Sequence, residues 1–204
     1  MPSLPTQPRL ILGSSSIYRK ELLSRLNIPF ETMAPDIDET PNDGESSEAT
    51  AIRLAKEKAI AISARTPNAL VIGSDQVATL DGEQIGKPGT HENALKQLKK
   101  MRGCRVVFHT ALCLFDGREN TAAPQLQIEN VQTFVTFRNL PDHELDAYLR
   151  IEQPYDCAGS AKNEGLGIAV IEKIDSTDPT ALTGLPLIAL TSMLRKAGVT
   201  FFNR

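Results

Sequence analysis

Surplus positive charge, paired cysteines and long apolar runs are all missing from this chain, and each absence closes a class of function. Lysine and arginine number 22 against 25 aspartate and glutamate, a formal net charge of −3. A long nucleic-acid partner needs a basic face to neutralise its phosphates, so the bulk balance argues against a nucleic-acid polymer. A small anion held in a local basic pocket remains open. Three cysteines, Cys104, Cys113 and Cys157, form no Cys-x-x-Cys pair. That excludes a disulfide framework and a cysteine zinc site, and suits reduced thiols in a cytoplasmic protein. No apolar run approaches the roughly 20 residues that cross a bilayer, so no membrane partner is expected. Residues 1–8 hold three prolines and no basic segment, and read as a flexible tail rather than a signal peptide. Repeats, heptads and low-complexity segments are absent as well.

What is present is 204 residues with 41% hydrophobic and 23% charged side chains, enough for a real core. Residues 9–204 are expected to form one domain. The chain is organised around residues 9–23: a short apolar run, Leu10 to Leu12, then Gly13 and three serines, then apolar residues at helical spacing, Leu22, Leu23 and Leu26. The reading is strand, tight turn, helix. A helix N-terminus offers unpaired N–H groups and partial positive charge to an anion, and Ser14, Ser16, Arg19 and Lys20 add donors. The same pattern also reads as an ordinary helix cap, because it is neither a P-loop nor a dinucleotide fingerprint.

Further along, residues 29–33 suit a second strand, followed by a proline-bounded acidic loop that contains Glu39. Ser46 to Arg65 is the longest helical pattern, with Ile52, Ala55, Ala59 and Ile62 on its apolar face. Lys58 lies at the border of that face, where a lysine either snorkels to solvent or points into a cleft. A buried-strand run over residues 69–72 is expected to end at Gly73-Ser74-Asp75-Gln76. That would place Asp75 at a strand's carboxyl end, where open α/β sheets gather ligands. Asp81-Gly82 between two apolar runs signals a hairpin, and Lys87 just beyond it can return toward Asp75. Helices are expected over 92–101, 141–148 and 186–196, and strands over 106–115, 130–137 and 168–171. Strands alternating with helices give an α/β class, and the hairpin makes the sheet mixed.

Collected, the loops hold cationic and hydroxyl groups (Ser14, Ser16, Arg19, Lys20, Lys58, Lys87) beside two acids, Glu39 and Asp75. Carboxylates suit Mg²⁺ or Mn²⁺, which bind phosphate oxygens, and lysine or arginine neutralises charge developing in phosphoryl transfer. From residues alone the reading stops at a divalent-metal-dependent enzyme acting on a phosphate ester or anhydride.

Leu-Gly-Ser-Ser-Ser-x-x-Arg-Lys at 12–20, Asp38-Glu39-Thr40, Leu54-Ala55-x-x-Lys58-Ala59, Ser74-Asp75-Gln76-Val77, Gly86-Lys87-Pro88 and Ala158-Gly159 with Glu164-Gly165 resemble the Maf family, in that family's order. The stretches around Asp75 and Cys157 look like its YceF-like branch. The resemblance implies the Maf/ITPase-like fold, an elongated mixed sheet with flanking helices and a groove between two lobes. It implies cleavage of a nucleoside triphosphate between the α and β phosphates, with 7-methyl-GTP as the branch substrate. By position, Asp75 matches the proton acceptor, with Lys58 and Lys87 beside it. Ser14, Ser16, Arg19 and Lys20 match the phosphate loop, Glu39 and Asp75 the metal site, and Tyr18, Gln76 and Glu164 the base-selecting positions. Ile17, Tyr18 and Lys20 depart from the family's usual Pro, Trp and Arg. A Maf pyrophosphatase for dTTP or UTP, a non-catalytic nucleotide sensor acting on cell division, and a nucleotidyltransferase stand as rival readings. A homodimer is compatible with all of them.

Overall fold

The computed structural model describes residues 7–119, 122 and 125–202. Most of the tail expected over residues 1–8 therefore lies outside the described residues. In chain order the elements are β1 (Leu10–Gly13), α1 (Ile17–Ser24), β2 (Glu31–Met33), α2 (Ser47–Ser63), β3 (Leu70–Leu80), β4 (Glu83–Ile85), α3 (His91–Met101), β5 (Arg105–Asp116), β6 (Leu126–Phe137), α4 (Asp142–Glu152), β7 (Ile171–Ser176) and α5 (Leu187–Lys196). They form one mixed sheet in the order β2-β1-β3-β5-β6-β7, with β4 paired to β3. β1 runs parallel to both β2 and β3, and the remaining pairs are antiparallel. The expected α/β mixed sheet with flanking helices is what forms.

Three long strands set the shape. β5 and β6 each have 12 residues and β3 has 11, so each spans roughly 35–40 Å at the usual rise. No single layer of helices covers that length, and three sets share it. At one end, Leu10, Leu12, Leu70 and Ile72 pack against α1 and α5 through Leu22, Leu23, Leu190 and Leu194. On the opposite face of the same strands, Ile11, Val71 and Val77 meet Ala51, Ala55, Ala59 and Ile62 of α2. At the far end, Ala78, Leu80, Phe108 and Val135 pack against α3 and α4 through Leu98, Met101, Leu145 and Leu149. Among the described residues no helix is long and apolar enough to cross a membrane, and the three cysteines are free.

Strand parity decides what faces what in β3. Leu70, Ile72, Ser74, Gln76, Ala78 and Leu80 share one face; Val71, Gly73, Asp75 and Val77 share the other, toward α2. This corrects the expectation that the strand stops before Asp75. It runs unbroken through Gly73 to Leu80, and Asp75 pairs with Ala111 of β5. The glycine does not mark a turn. A Cβ on Gly73 would lie 2.1 Å from the Ala55 carbonyl oxygen and 2.7 Å from the Ala59 nitrogen, so its missing side chain lets α2 lie directly on the strand.

Elsewhere the hairpin forms as expected, with Asp81 and Gly82 both at positive φ (51° and 84°). The last strand begins at Ile171, not Ile168, because residues 166–170 coil into a short 3₁₀ turn after the Gly-rich loop. Pro141 and Pro186 precede α4 and α5 without a side-chain cap of their own. For α5 the cap comes from afar: the buried Asp178 carboxylate accepts from the backbone N–H groups of Ile188 and Ala189.

Candidate active site

The site lies in a groove of about 730 Å³, walled by the ends of β1 and α1, by α2 and β3, by the 84–87 segment and by two loops, 156–164 and 182–184. Its floor is ionic. Lys58 is 4% exposed, and its Nζ sits 2.6 Å from Asp75 Oδ1 and 2.8 Å from Glu39 Oε1. Of the two open readings for this lysine, the buried one holds: it points into the cleft. Asp75 is aimed at α2 by strand parity, and Lys58 is one turn beyond Leu54 and Ala55, so the pairing follows from the packing of α2 on Gly73. Asp75 Oδ2 has no hydrogen-bond partner among the described residues and is not sealed from solvent.

Glu39 projects over this pair from an irregular loop held by α2. Arg53 donates to the Thr40 carbonyl and makes a two-armed pair with Glu45, so the loop is tied down directly after Glu39. Partial loss of water pushes the Glu39 carboxyl up, but the Lys58 hydrogen bond and the charges of Lys58, Lys87 and Arg19 outweigh it and hold it below the usual range.

Above the floor the Ser-rich turn caps α1. Ser14 Oγ accepts from the Ser16 N–H at 3.1 Å, and Ser16 Oγ accepts from the Arg19 N–H at 3.4 Å. Both hydroxyls keep their own proton to donate to an anion. Arg19 is anchored by Nε to the Gly184 carbonyl at 2.8 Å, with Nη1 3.5 Å from Ser14 Oγ. Burial holds its guanidinium below the usual range, and the charges of Asp75 and Glu39 oppose this only in part. Ser14, Ser16, Tyr18, Arg19, Glu39, Lys58, Asp75, Gln76, Lys87 and Glu164 all line the groove. Lys20 does not: it is exposed on the outer face of α1.

These are the motifs of one family in one place. The family model for Maf-like proteins matches residues 9–197. The chain belongs to the Maf family. A curated relative from Cupriavidus metallidurans is 66% identical over 201 residues, covers 98% of this chain and 99% of its own length, and is named 7-methyl-GTP pyrophosphatase. A relative of the same name from Ralstonia nicotianae is 62% identical over 196 residues, covering 96% and 99%. Among solved structures, the nucleoside-triphosphatase (dITP/XTP pyrophosphatase) of Mycobacterium abscessus aligns over 93% of this chain and 95% of its own at 14% identity, with a TM-score of 0.43.

Tyr18, Gln76 and Glu164, the positions expected to select the base, carry contacts that the sequence of this Maf protein does not announce. Tyr18 has the Lys162 ammonium 5.7 Å from its ring centroid. Gln76 Nε2 lies within 2.9–3.1 Å of Thr110 Oγ1 and the Ala181 and Leu182 carbonyls. Three acceptors crowd its two hydrogens, so only its Oε1 is left for a ligand. Ser74, on the same face, lies 2.9 Å from the Gly184 carbonyl. The two side chains thus pin the 181–184 loop, which in turn holds Arg19. Glu164 stands at the rim, its carboxyl raised first by loss of water. Cys157 also lines the groove, but burial pushes its thiol up to about 12, so it is no thiolate nucleophile. Lys162 and Gly184, and the tie of the motif residue Ser74 to Gly184, escaped the reading of the sequence because nothing in their spacing links them to residues far away in the chain.

Proposed function

We propose that this Maf protein is a nucleoside triphosphate pyrophosphatase that hydrolyses 7-methyl-GTP between the α and β phosphates, giving monophosphate and pyrophosphate. The observation that carries the reading is the Glu39–Lys58–Asp75 chain of ionic contacts on the floor of a groove that is also lined by Arg19, Lys87 and the serine turn. Its relatives' names choose the substrate.

Asp75 is the proton acceptor for the attacking water, and Lys58 fixes its carboxylate through Oδ1. Ser14, Ser16 and Arg19 receive the triphosphate, and Lys87 and Lys58 offset the charge that develops on its oxygens. Lys20 plays no direct part from the outer face of α1.

A divalent cation suits the donor set. Among the described residues no group of three or more histidine, cysteine or acidic side chains could hold a metal ion. Glu39 and Asp75, however, each engage Lys58 through one oxygen and retain the other. Mg²⁺ and Mn²⁺ take one or two carboxylates and complete their shell with substrate phosphates and water. Glu39 and Asp75 would hold the ion, and when bound it neutralises triphosphate charge and polarises a phosphoryl oxygen.

On the base side, Glu164 accepts from the N1–H and exocyclic amine of guanine, a donor pair that adenine lacks. Tyr18 offers an aromatic face to the cationic methylated ring, with a cation–π contribution of about 0.5–2 kcal/mol, and Lys162 must yield that face. The test is a panel of nucleoside triphosphates with Mg²⁺, quantifying pyrophosphate and monophosphate. The expected order is 7-methyl-GTP, then GTP, then ATP, CTP and UTP. Preference for dTTP or UTP would move the protein to another branch of the family. Nucleotide binding without turnover would make it a sensor.

A further inference from the structure

Two walls of the groove are held from behind by one side chain. Gln97 lies on the half-buried side of α3, whose inner residues Ala94, Leu98 and Met101 are locked in the distal core. Its Nε2 donates to the Gly86 carbonyl at 3.0 Å, one residue before Lys87. Its Oε1 accepts from Ser160 Oγ at 2.6 Å, four residues before Glu164. Ser160 is fully buried and takes φ +53°, a left-handed conformation that non-glycine residues adopt only when their surroundings impose it. Besides Gln97, the structure gives Ser160 a Tyr148 hydroxyl on its carbonyl at 3.2 Å and the Cys157 carbonyl for its own N–H at 3.2 Å. A second tie joins the same two segments, the Gly89 N–H donating to the Tyr155 carbonyl at 2.9 Å.

We infer that Gln97 is a positioning residue that fixes the distance between the wall bearing Lys87 and the wall bearing Glu164, so that the reacting phosphates and the purine are held in register. Gln97 itself does not line the groove. A carboxamide suits this task because it donates on one arm and accepts on the other from one rigid plane. Small displacements matter here: catalytic groups moved by about 1 Å can lose on the order of 100-fold in rate. The inference rests on the pyrophosphatase reading of the groove, and wild-type turnover on the nucleotide panel tests that reading separately.

Three variants separate the arms. Gln97→Met keeps length, packing and helix preference while removing both hydrogen bonds, and is expected to lower kcat/KM for 7-methyl-GTP roughly tenfold or more and to shrink its preference over ATP, which lacks the donor pair that Glu164 reads. Gln97→Glu keeps the acceptor for Ser160 but cannot donate to Gly86, so kcat falls while the preference is largely kept. Ser160→Gly relieves the positive φ and deletes the hydroxyl, so the preference falls more than kcat does. Thermal midpoints of all three report folding. Selective loss split between kcat and preference in this pattern supports the inference. It is overturned if Gln97→Met stays within about twofold of wild type in both quantities, or if every loss is accounted for by an unfolded fraction.

Discussion

On the side of the groove proposed to take the phosphates, three charged groups ride on regular elements, Arg19 on the first turn of α1, Lys58 in the second half of α2 and Asp75 mid-way along β3, while Glu39 and Lys87 sit in loops beside them. On the base side, Lys162, Asn163 and Glu164 sit in a loop between two short 3₁₀ turns, held by side chains from elsewhere. Asn163 reaches Thr183, Glu152 receives the Leu166 N–H, and Gln97 receives Ser160. The first wall is a consequence of the core; the second is a set of separate ties. Chemistry on the triphosphate should therefore be steep in single side chains, and choice of base should be shallow and distributed.

The steepest test of that contrast is Asp75→Asn. The amide keeps the volume but loses the charge and the basicity, and turnover with Mg²⁺ per folded molecule should fall on the order of 100-fold or more. Near-wild-type turnover in the folded protein would remove Asp75 from the reaction.

Next comes the packing that aims it. Gly73→Ala drives a methyl into the Ala55 carbonyl and the Ala59 nitrogen, backbone atoms that cannot step aside. Overpacking of this kind costs about 1–3 kcal/mol and occasionally more, so the urea midpoint should drop clearly and activity should drop with it, as α2 lifts Lys58 from Asp75. An unchanged midpoint would mean that α2 does not rest on Gly73 as described.

The same glycine explains what was legible in the sequence and what was not. Gly73 followed by Ser, Asp and Gln looks like a strand end, since glycine and short polar residues punctuate strands. Only the neighbouring helix reveals it as a contact point, and the helix lies more than ten residues away in the chain. Local patterns did expose α2, the hairpin, α5 and the serine turn, because periodicity and caps are written over a few residues. Lys58 was visible as a residue on the border of an apolar face, and its burial needed a partner acid that periodicity does not supply. Lys20 illustrates the converse. It neighbours Arg19 in sequence, but 100° further round the helix it leaves the groove.

A smaller effect concerns the loop that carries Glu39. Its anchor, Glu45, is held at about 2 by the hydrogen bonds and charge of Arg53, against an ordinary 4.5. A carboxyl lowered in the folded state contributes stability that is complete above pH 4.5 and is lost as pH falls toward 2. Glu45→Gln should therefore be less stable than wild type at neutral pH, with the gap closing as urea midpoints are followed from pH 5 down to pH 2. A gap that stays constant over that range would show that the pair contributes nothing to the loop's attachment.

The smallest effect belongs to the base wall. Glu164 is raised above the usual carboxylate range first by loss of water, with Glu152 and Asp156 adding to it and Lys162 opposing. Only the ionised form accepts two hydrogen bonds from the guanine edge. KM for guanine nucleotides should accordingly rise as pH falls, beginning at a higher pH than an ordinary glutamate would set, whereas kcat, governed by the other wall, should follow its own profile. Glu164→Gln still offers one acceptor but no charge, so KM should rise roughly tenfold at neutral pH and lose its acid dependence. The comparison is KM against pH for 7-methyl-GTP and GTP in both proteins. If the variant keeps both the KM and the slope of wild type, the guanine edge is read elsewhere. The loop would then contribute only the shape that Gln97, Glu152 and Thr183 impose on it.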